Sequence, residues 1–271
     1  MKPNYIKQLW SEGKPVINGF LSIPCPLVSE VMAEQGYDAL TIDLQHGIVD
    51  YQTSVGMLQA MRASNVVPMV RVPWLEPSAI MKALDAGAYG VVCPMINTAQ
   101  QAAMLVSCVR YPPAGIRSYG PSRASISAGA NYGPEADDNM LCFAMIETRE
   151  AMENLDAIAS TPGLDGLYIG PADLTIGLTG MRYPNGFDRE EPEIIDAIKR
   201  ILTTAHDHGI KVALHCGTAA YALRAVEWGF DMVTVANDIR MLTNAASASL
   251  KSIRQGLDDG APQPSGTAGQ Y

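Results

Sequence analysis

Two carboxylates, Glu147 in AMIETRE and Asp173 in GPADL, each follow a short apolar run, one strand-and-helix unit apart. If those runs are neighbouring parallel strands, their axes lie about 4.8 Å apart. Two ionised carboxylates that close repel each other unless one is protonated or a cation lies between them. A site of few carboxylates, completed by water and substrate oxygens, suits Mg²⁺ or Mn²⁺. The plainer alternative makes Asp173 a helix cap and Glu147 a partner of Arg149. Arg71 closes VPMVR, a run whose inward face is otherwise Val67 and Met69. An inward arginine needs an anion, which is either a substrate carboxylate or enolate, or Asp43 in a structural ion pair. His46 lies just beyond Asp43 in a glycine-containing loop, where an imidazole beside a carboxylate can act as a general base; the alternative is a surface histidine. His215 alternates with Ala213 and is a second candidate for the interior. His206 and His208 end a helix and read as favourable C-terminal charges.

The lysines stand at 2, 7, 14, 82, 199, 211 and 251. None falls at the C-terminal end of a predicted strand, where a Schiff-base mechanism needs one. Carbonyl chemistry here therefore points to a metal electrophile.

Residues at such positions must be held by strands. Runs at 16–23, 37–44, 67–72, 90–95, 141–147, 166–171, 211–216 and 231–237 are short, apolar and bounded by Gly, Pro or Asp, as buried parallel strands are. Helical spacing separates them at 77–88, 98–110, 148–161, 191–209 and 218–229, with Thr98 and Thr148 as caps. Eight such units in 271 residues predict one (β/α)₈ barrel over 1–256. No GxGxxG follows the first run, which disfavours an open doubly wound sheet. Residues 111–140, carrying Arg117 and Arg123, exceed an ordinary connector, and long ordered loops are often functional. The tail 257–271, rich in Pro, Gly and Ser, reads as disordered.

The formal charge of −9 argues against nucleic acid as a partner. Five cysteines without a CxxC pair read as reduced thiols of a cytoplasmic protein. The N-terminal segment has no signal-peptide core, and no run approaches a membrane span.

TIDLQHG, VRVPW, RYPPAGIRSYG, MIETREAMENL and GLDGLYIGPADL together resemble the HpcH/HpaI aldolase family, which includes 4-hydroxy-2-oxoheptanedioate aldolases and 2-keto-3-deoxy sugar acid aldolases. The likeness runs from about Gly19 to about Arg254. It implies a metal-dependent pyruvate aldolase on a (β/α)₈ barrel, a homo-oligomer (trimer or hexamer) with the last helix exchanged between subunits. By the resemblance, Glu147 and Asp173 hold a divalent cation (Mg²⁺, Mn²⁺ or Co²⁺) and Arg71 stabilises the enolate. His46 serves as base with Asp43 and a metal-bound water.

Gly170 and Ala172 would offer N–H groups to the substrate carboxylate, and Trp74, Arg117 and Arg123 would shape the aldehyde end. Two positions depart from the family pattern. Gln45 stands where a glutamate commonly precedes the histidine. Met145 stands where a glutamine commonly lies two residues before the metal glutamate, on the same strand face as Glu147. The alternatives are a related lyase or decarboxylase acting on oxaloacetate or an acyl thioester, and a non-catalytic 2-oxo-acid-binding homologue.

Overall fold

Eight parallel strands close into a barrel in chain order: β1 (Val16–Leu21), β2 (Ala39–Asp43), β3 (Val67–Arg71), β4 (Gly90–Cys93), β5 (Leu141–Ile146), β6 (Gly166–Ile169), β7 (Lys211–Cys216) and β8 (Met232–Asn237). The structure, a computed structural model, describes residues 1–258. Every predicted strand is present, most of them a residue or two shorter than its apolar run. β8 closes on β1 through Val16↔Met232 and Asn18↔Thr234, with a register shift before Phe20↔Asn237. All residues of β2, β4, β5 and β6 are buried, because one strand face lines the barrel and the other meets the helices.

The helices are α1 (Tyr5–Ser11), α2 (Pro26–Ala33), α3 (Tyr51–Ala60), α4 (Pro77–Asp85), α5 (Ala99–Val109), α6 (Ser122–Ala128), α7 (Tyr132–Asn139), α8 (Arg149–Glu153), α9 (Leu155–Ala159), α10 (Pro171–Thr179), α11 (Pro192–Asp207), α12 (Ala219–Trp228) and α13 (Asp238–Asp258). α11 shows why such segments pack outside the sheet: Ile194, Ala197, Ile198, Ile201 and Ala205 recur at helical spacing and are buried on one side. Thr98 and Gln101 form a reciprocal cap on α5. The predicted helix 148–161 is two short helices, α8 and α9, meeting at Asn154, whose side chain donates to the Asn97 carbonyl.

The described chain groups into two units, Met1–Asp238 and the segment from Ile239 onward. Within the second, α13 leaves Leu242, Leu250, Ile253 and Leu257 exposed. Of the predicted disordered tail, 257 and 258 belong to α13; the rest lies outside the described residues. No described helix is long and apolar enough to cross a membrane. The cysteines are free, and all but Cys25 are buried.

One expectation is overturned. Residues 111–140 join the end of α5 to the start of β5 and carry α6 and α7. A segment that leaves a helix and enters a strand must lie at the N-terminal end of the barrel, the floor, away from the strand ends where barrel chemistry occurs. Arg117 is entombed there: its Nη2 lies 2.7 Å from Asp85 and 2.8 Å from the Tyr132 hydroxyl. Its guanidinium carbon lies 4.5 Å from the Tyr111 ring centre. Arg123 donates to the Ala86 carbonyl at the same end. Neither arginine shapes an aldehyde site at the mouth. Arg110, which opens the RYPPAGIR motif, is likewise spent on Asp165 and on the Met140 and Gly163 carbonyls. The motif fastens the floor.

Candidate active site at the barrel mouth

Glu147 follows the last residue of β5 and is buried at 2% exposure. Its Oε2 accepts the Met95 N–H at 2.9 Å. Met95 holds that amide in place with φ at +57°, in the left-handed region that residues with side chains rarely occupy. A neighbouring hydroxyl, Thr148, caps α8 and bonds Asn97, so the two loops that present Glu147 are tied together. Burial pushes the Glu147 carboxyl up to about 7. The Asp173 charge pushes the same way, while the Met95 amide and the Arg71 charge oppose it. Asp173 sits in the first turn of α10, exposed, where the strand end runs through Gly170-Pro171.

Gly170 is required by close approach. A Cβ there would fall 2.5 Å from Glu147 Oε1 and 3.2 Å from the Met145 methyl. The same contact places Met145, 1% exposed, next to Glu147 on the inner face. Gly170 caps α10 without a side chain, and Pro171 begins the helix, so the free amides of the first turn include Ala172.

Arg71 and Asp43 end adjacent strands in direct register. The guanidinium grips the carboxylate with two bonds, Nε to Oδ1 at 2.9 Å and Nη2 to Oδ2 at 2.7 Å. Oδ1 also accepts the main-chain N–H groups of Gln45 and His46, at 3.1 and 3.2 Å. Burial works to raise the Asp43 carboxyl, but the Arg71 bonds and charge outweigh it and hold it below the usual carboxylate value. The structural reading of this pair is therefore realised, and it modifies the expected one. Asp43 steers His46 through its main chain rather than its ring, and the His46 side chain is exposed beyond the pair. Gln45 turns its Oε1 into a buried place with no hydrogen-bond partner. Trp74 follows β3 on the mouth side and is 54% exposed.

Below this layer the barrel carries a hydrogen-bonded network. Asn18 donates to Thr234, Thr41 to Asn18, and Tyr168 to Thr234 at 2.7 Å. The Tyr168 hydroxyl lies 3.3 Å from His215 Nδ1. His215 does face the interior, with its ring against Phe20 on one side and Phe187 on the other, centroids 5.0 and 4.4 Å away. Arg71 lies over the same Phe20 ring at 5.1 Å.

Phe187 is the mouth residue that sequence reasoning missed. Its segment, 180–191, joins α10 to α11, and Asp188 anchors it to Gly217 and Thr218 after β7. The available signal was a long polar connection following β6 on the mouth side. Within Met1–Asp238 no lysine stands at the C-terminal end of a strand: Lys211 opens β7 and pairs with Asp231 at 2.8 Å. Lys82 and Lys199 lie over the rings of Tyr51 and Trp228.

The arrangement sets a buried carboxyl and a second acidic residue, both candidate cation ligands, at the same end of the barrel as Arg71, a candidate partner for an anionic oxygen. The profile of the HpcH/HpaI aldolase/citrate lyase family matches residues 19–245. A hydroxypyruvate/pyruvate aldolase of Rhizorhabdus wittichii is 41% identical over 251 residues, covering 93% of this chain and 99% of that protein. A 5-keto-4-deoxy-D-glucarate aldolase of Escherichia coli K12 is 32% identical over 245 residues, covering 90% of this chain and 94% of that protein. The crystal structure of an HpcH/HpaI aldolase/citrate lyase family protein from Burkholderia cenocepacia matches with a TM-score of 0.85 at 31% identity, covering 93% of this chain and 99% of that one.

Proposed function

The chain belongs to the HpcH/HpaI aldolase/citrate lyase family, and from that premise we propose that it is a metal-dependent aldolase that makes or cleaves 4-hydroxy-2-oxo acids, with a small 2-oxo acid and an aldehyde as the two halves. The observation that carries this reading is the buried Glu147 carboxyl at the end of β5, oriented by the Met95 amide on Oε2 and facing Gly170 with Oε1. A buried carboxylate beside a second one suits a divalent cation, and the absence of a side chain at Gly170 leaves Glu147 Oε1 uncovered. Glu147 and Asp173 would hold the ion, which we assign as Mg²⁺, Mn²⁺ or Co²⁺. When bound, it supplies the electrophile that acidifies the C3 protons of the 2-oxo acid.

The chain's own residues do the rest. Arg71, locked in plane by Asp43, presents the rest of its guanidinium to the oxygen that gains charge as the C3 proton leaves. His46 receives that proton on its imidazole, its backbone set by the Asp43 carboxylate. Ala172, in the first turn of α10, directs its amide at the substrate carboxylate. Phe187 and Trp74 border the aldehyde half, and Gln45 and Met145 adjust the surroundings of the base and the cation. The 2-oxo acid is pyruvate or hydroxypyruvate, the pair for which the Rhizorhabdus relative is named. The proposal extends to a cytoplasmic homo-oligomer, trimer or hexamer, that exchanges the last helix.

Deuterium uptake into the pyruvate methyl group, followed by NMR with each cation added, tests the reading. Exchange by the wild-type chain is expected. Glu147→Ala and Asp173→Ala should lose both exchange and cation binding, and Arg71→Ala should slow exchange by about 100-fold. A wild-type chain that binds cation and pyruvate yet exchanges no proton would be a binding protein instead.

A further inference from the structure

A second pocket opens at the floor, beneath the starts of β3 and β4. It has a volume of about 120 Å³ and is lined by three cations, Lys2, Arg62 and Arg123. Leu58, Met61, Val66 and Val67 supply an apolar wall. No aspartate or glutamate is among the described residues that line it. Elsewhere in the barrel Arg71 pairs with Asp43, Arg110 with Asp165, Arg117 with Asp85 and Arg189 with Glu191, whereas the exposed Arg62 and the half-buried Arg123 donate to main-chain carbonyls. In a chain of net charge −9, three cations share one cavity without such a partner.

The two guanidiniums are positioned rather than loose. Arg123 donates to the Ala86 carbonyl, and Arg62 donates to the Ile126 carbonyl at 3.3 Å. Each therefore spends one of its five N–H donors on main chain. Gly87 makes room: its φ is +108°, and a Cβ there would collide with Arg123 Nη1. Burial, and then the Arg62 charge, weaken the hold of Arg123 on its proton. Like charges gathered against an apolar wall raise the energy of the empty cavity, and an anion lowers it. Planar guanidinium forks match the oxygens of phosphate or carboxylate.

We propose that this floor cavity is a second ligand site, separate from the mouth, for a small organic phosphate whose head lies between Arg62 and Arg123 and whose apolar body rests on Leu58, Met61 and Val66.

Isothermal titration of the full-length chain at low salt with phenyl phosphate, phenylacetate and benzyl alcohol tests this. Phenyl phosphate should saturate one site per chain, phenylacetate should bind more weakly, and benzyl alcohol should not bind. Arg62→Gln and Arg123→Gln should each weaken phenyl phosphate at least tenfold. Arg62 is exposed, so its variant should melt with the wild type and keeps the test valid if Arg123→Gln unfolds. Glu147→Gln should leave the binding unchanged, which separates this site from the chemistry at the mouth. The proposal is overturned if phenyl phosphate does not saturate, or if benzyl alcohol binds as well. It is also overturned if Arg62→Gln binds like the wild type, or if pyruvate displaces the ligand.

Discussion

Arg71 at the mouth and Arg117 under the floor are built alike. Arg117 is buried and Arg71 partly so, each pairs with an aspartate at 2.7 Å, and each lies over an aromatic ring. They differ in what surrounds them. Around Arg71 stand an ionisable pair of carboxylates, an exposed histidine, a left-handed Met95 and a buried Gln45 oxygen without a partner. Around Arg117 stand Asp85, Tyr111 and Tyr132, with Arg117 Nε and Nη1 and the Tyr111 hydroxyl buried without hydrogen-bond partners. The pair itself therefore does not mark a site. Its place along the strand direction does, because barrel chemistry occurs at the C-terminal ends of the strands.

The contrast can be tested from its largest expected effect downward. Glu147→Gln should cut aldol turnover by about 10³-fold while leaving the cation-free protein at least as resistant to heat, since a buried charge has been removed. A clear loss of melting temperature would make Glu147 a structural residue. Arg117→Met should do the reverse. It strands Asp85 and should cost about 3–5 kcal/mol in denaturant unfolding, with kcat per folded molecule unchanged. A lower kcat would join the floor to the chemistry.

Folding raises the affinity of Glu147 for its proton. Its contribution to stability in the cation-free chain is therefore fullest below the ordinary carboxylate value and fades as pH rises through about 7. Cation uptake needs the ionised form, so binding should release close to one proton per chain near pH 6 and little near pH 8.5, as measured by titration in buffers of different ionisation enthalpy. Equal release at both values would place the proton elsewhere. Least of all, Gln45→Leu should stabilise the free protein by about 1 kcal/mol by removing an unpaired buried acceptor. A loss of stability would mean that this oxygen already has a partner.

The strands, and with them Asp43, Arg71 and Glu147, were legible because parallel strands buried on both faces leave unbroken apolar runs that end in the functional residues. The role of 111–140 was misread from length alone. Its flanks already carry the answer: it leaves α5 and enters β5, and that polarity assigns it to the floor. Phe187 was not legible, because its contact with His215 links residues far apart in sequence and leaves no local pattern. Asp43 offered two partners by spacing. Register with Arg71 decided between them, and register is a property of paired strands that one strand's sequence does not contain.

The placement of the lysines has a consequence for durability. A catalyst that takes in aldehydes exposes its own primary amines to carbinolamine formation. Here Lys211 is held at the opposite end by Asp231, and Lys82 and Lys199 rest on aromatic rings outside the barrel. Reactive carbonyl substrates at high concentration should therefore modify the periphery first, and the chain should tolerate preparative aldehyde loads and amine-directed immobilisation without its mouth being poisoned.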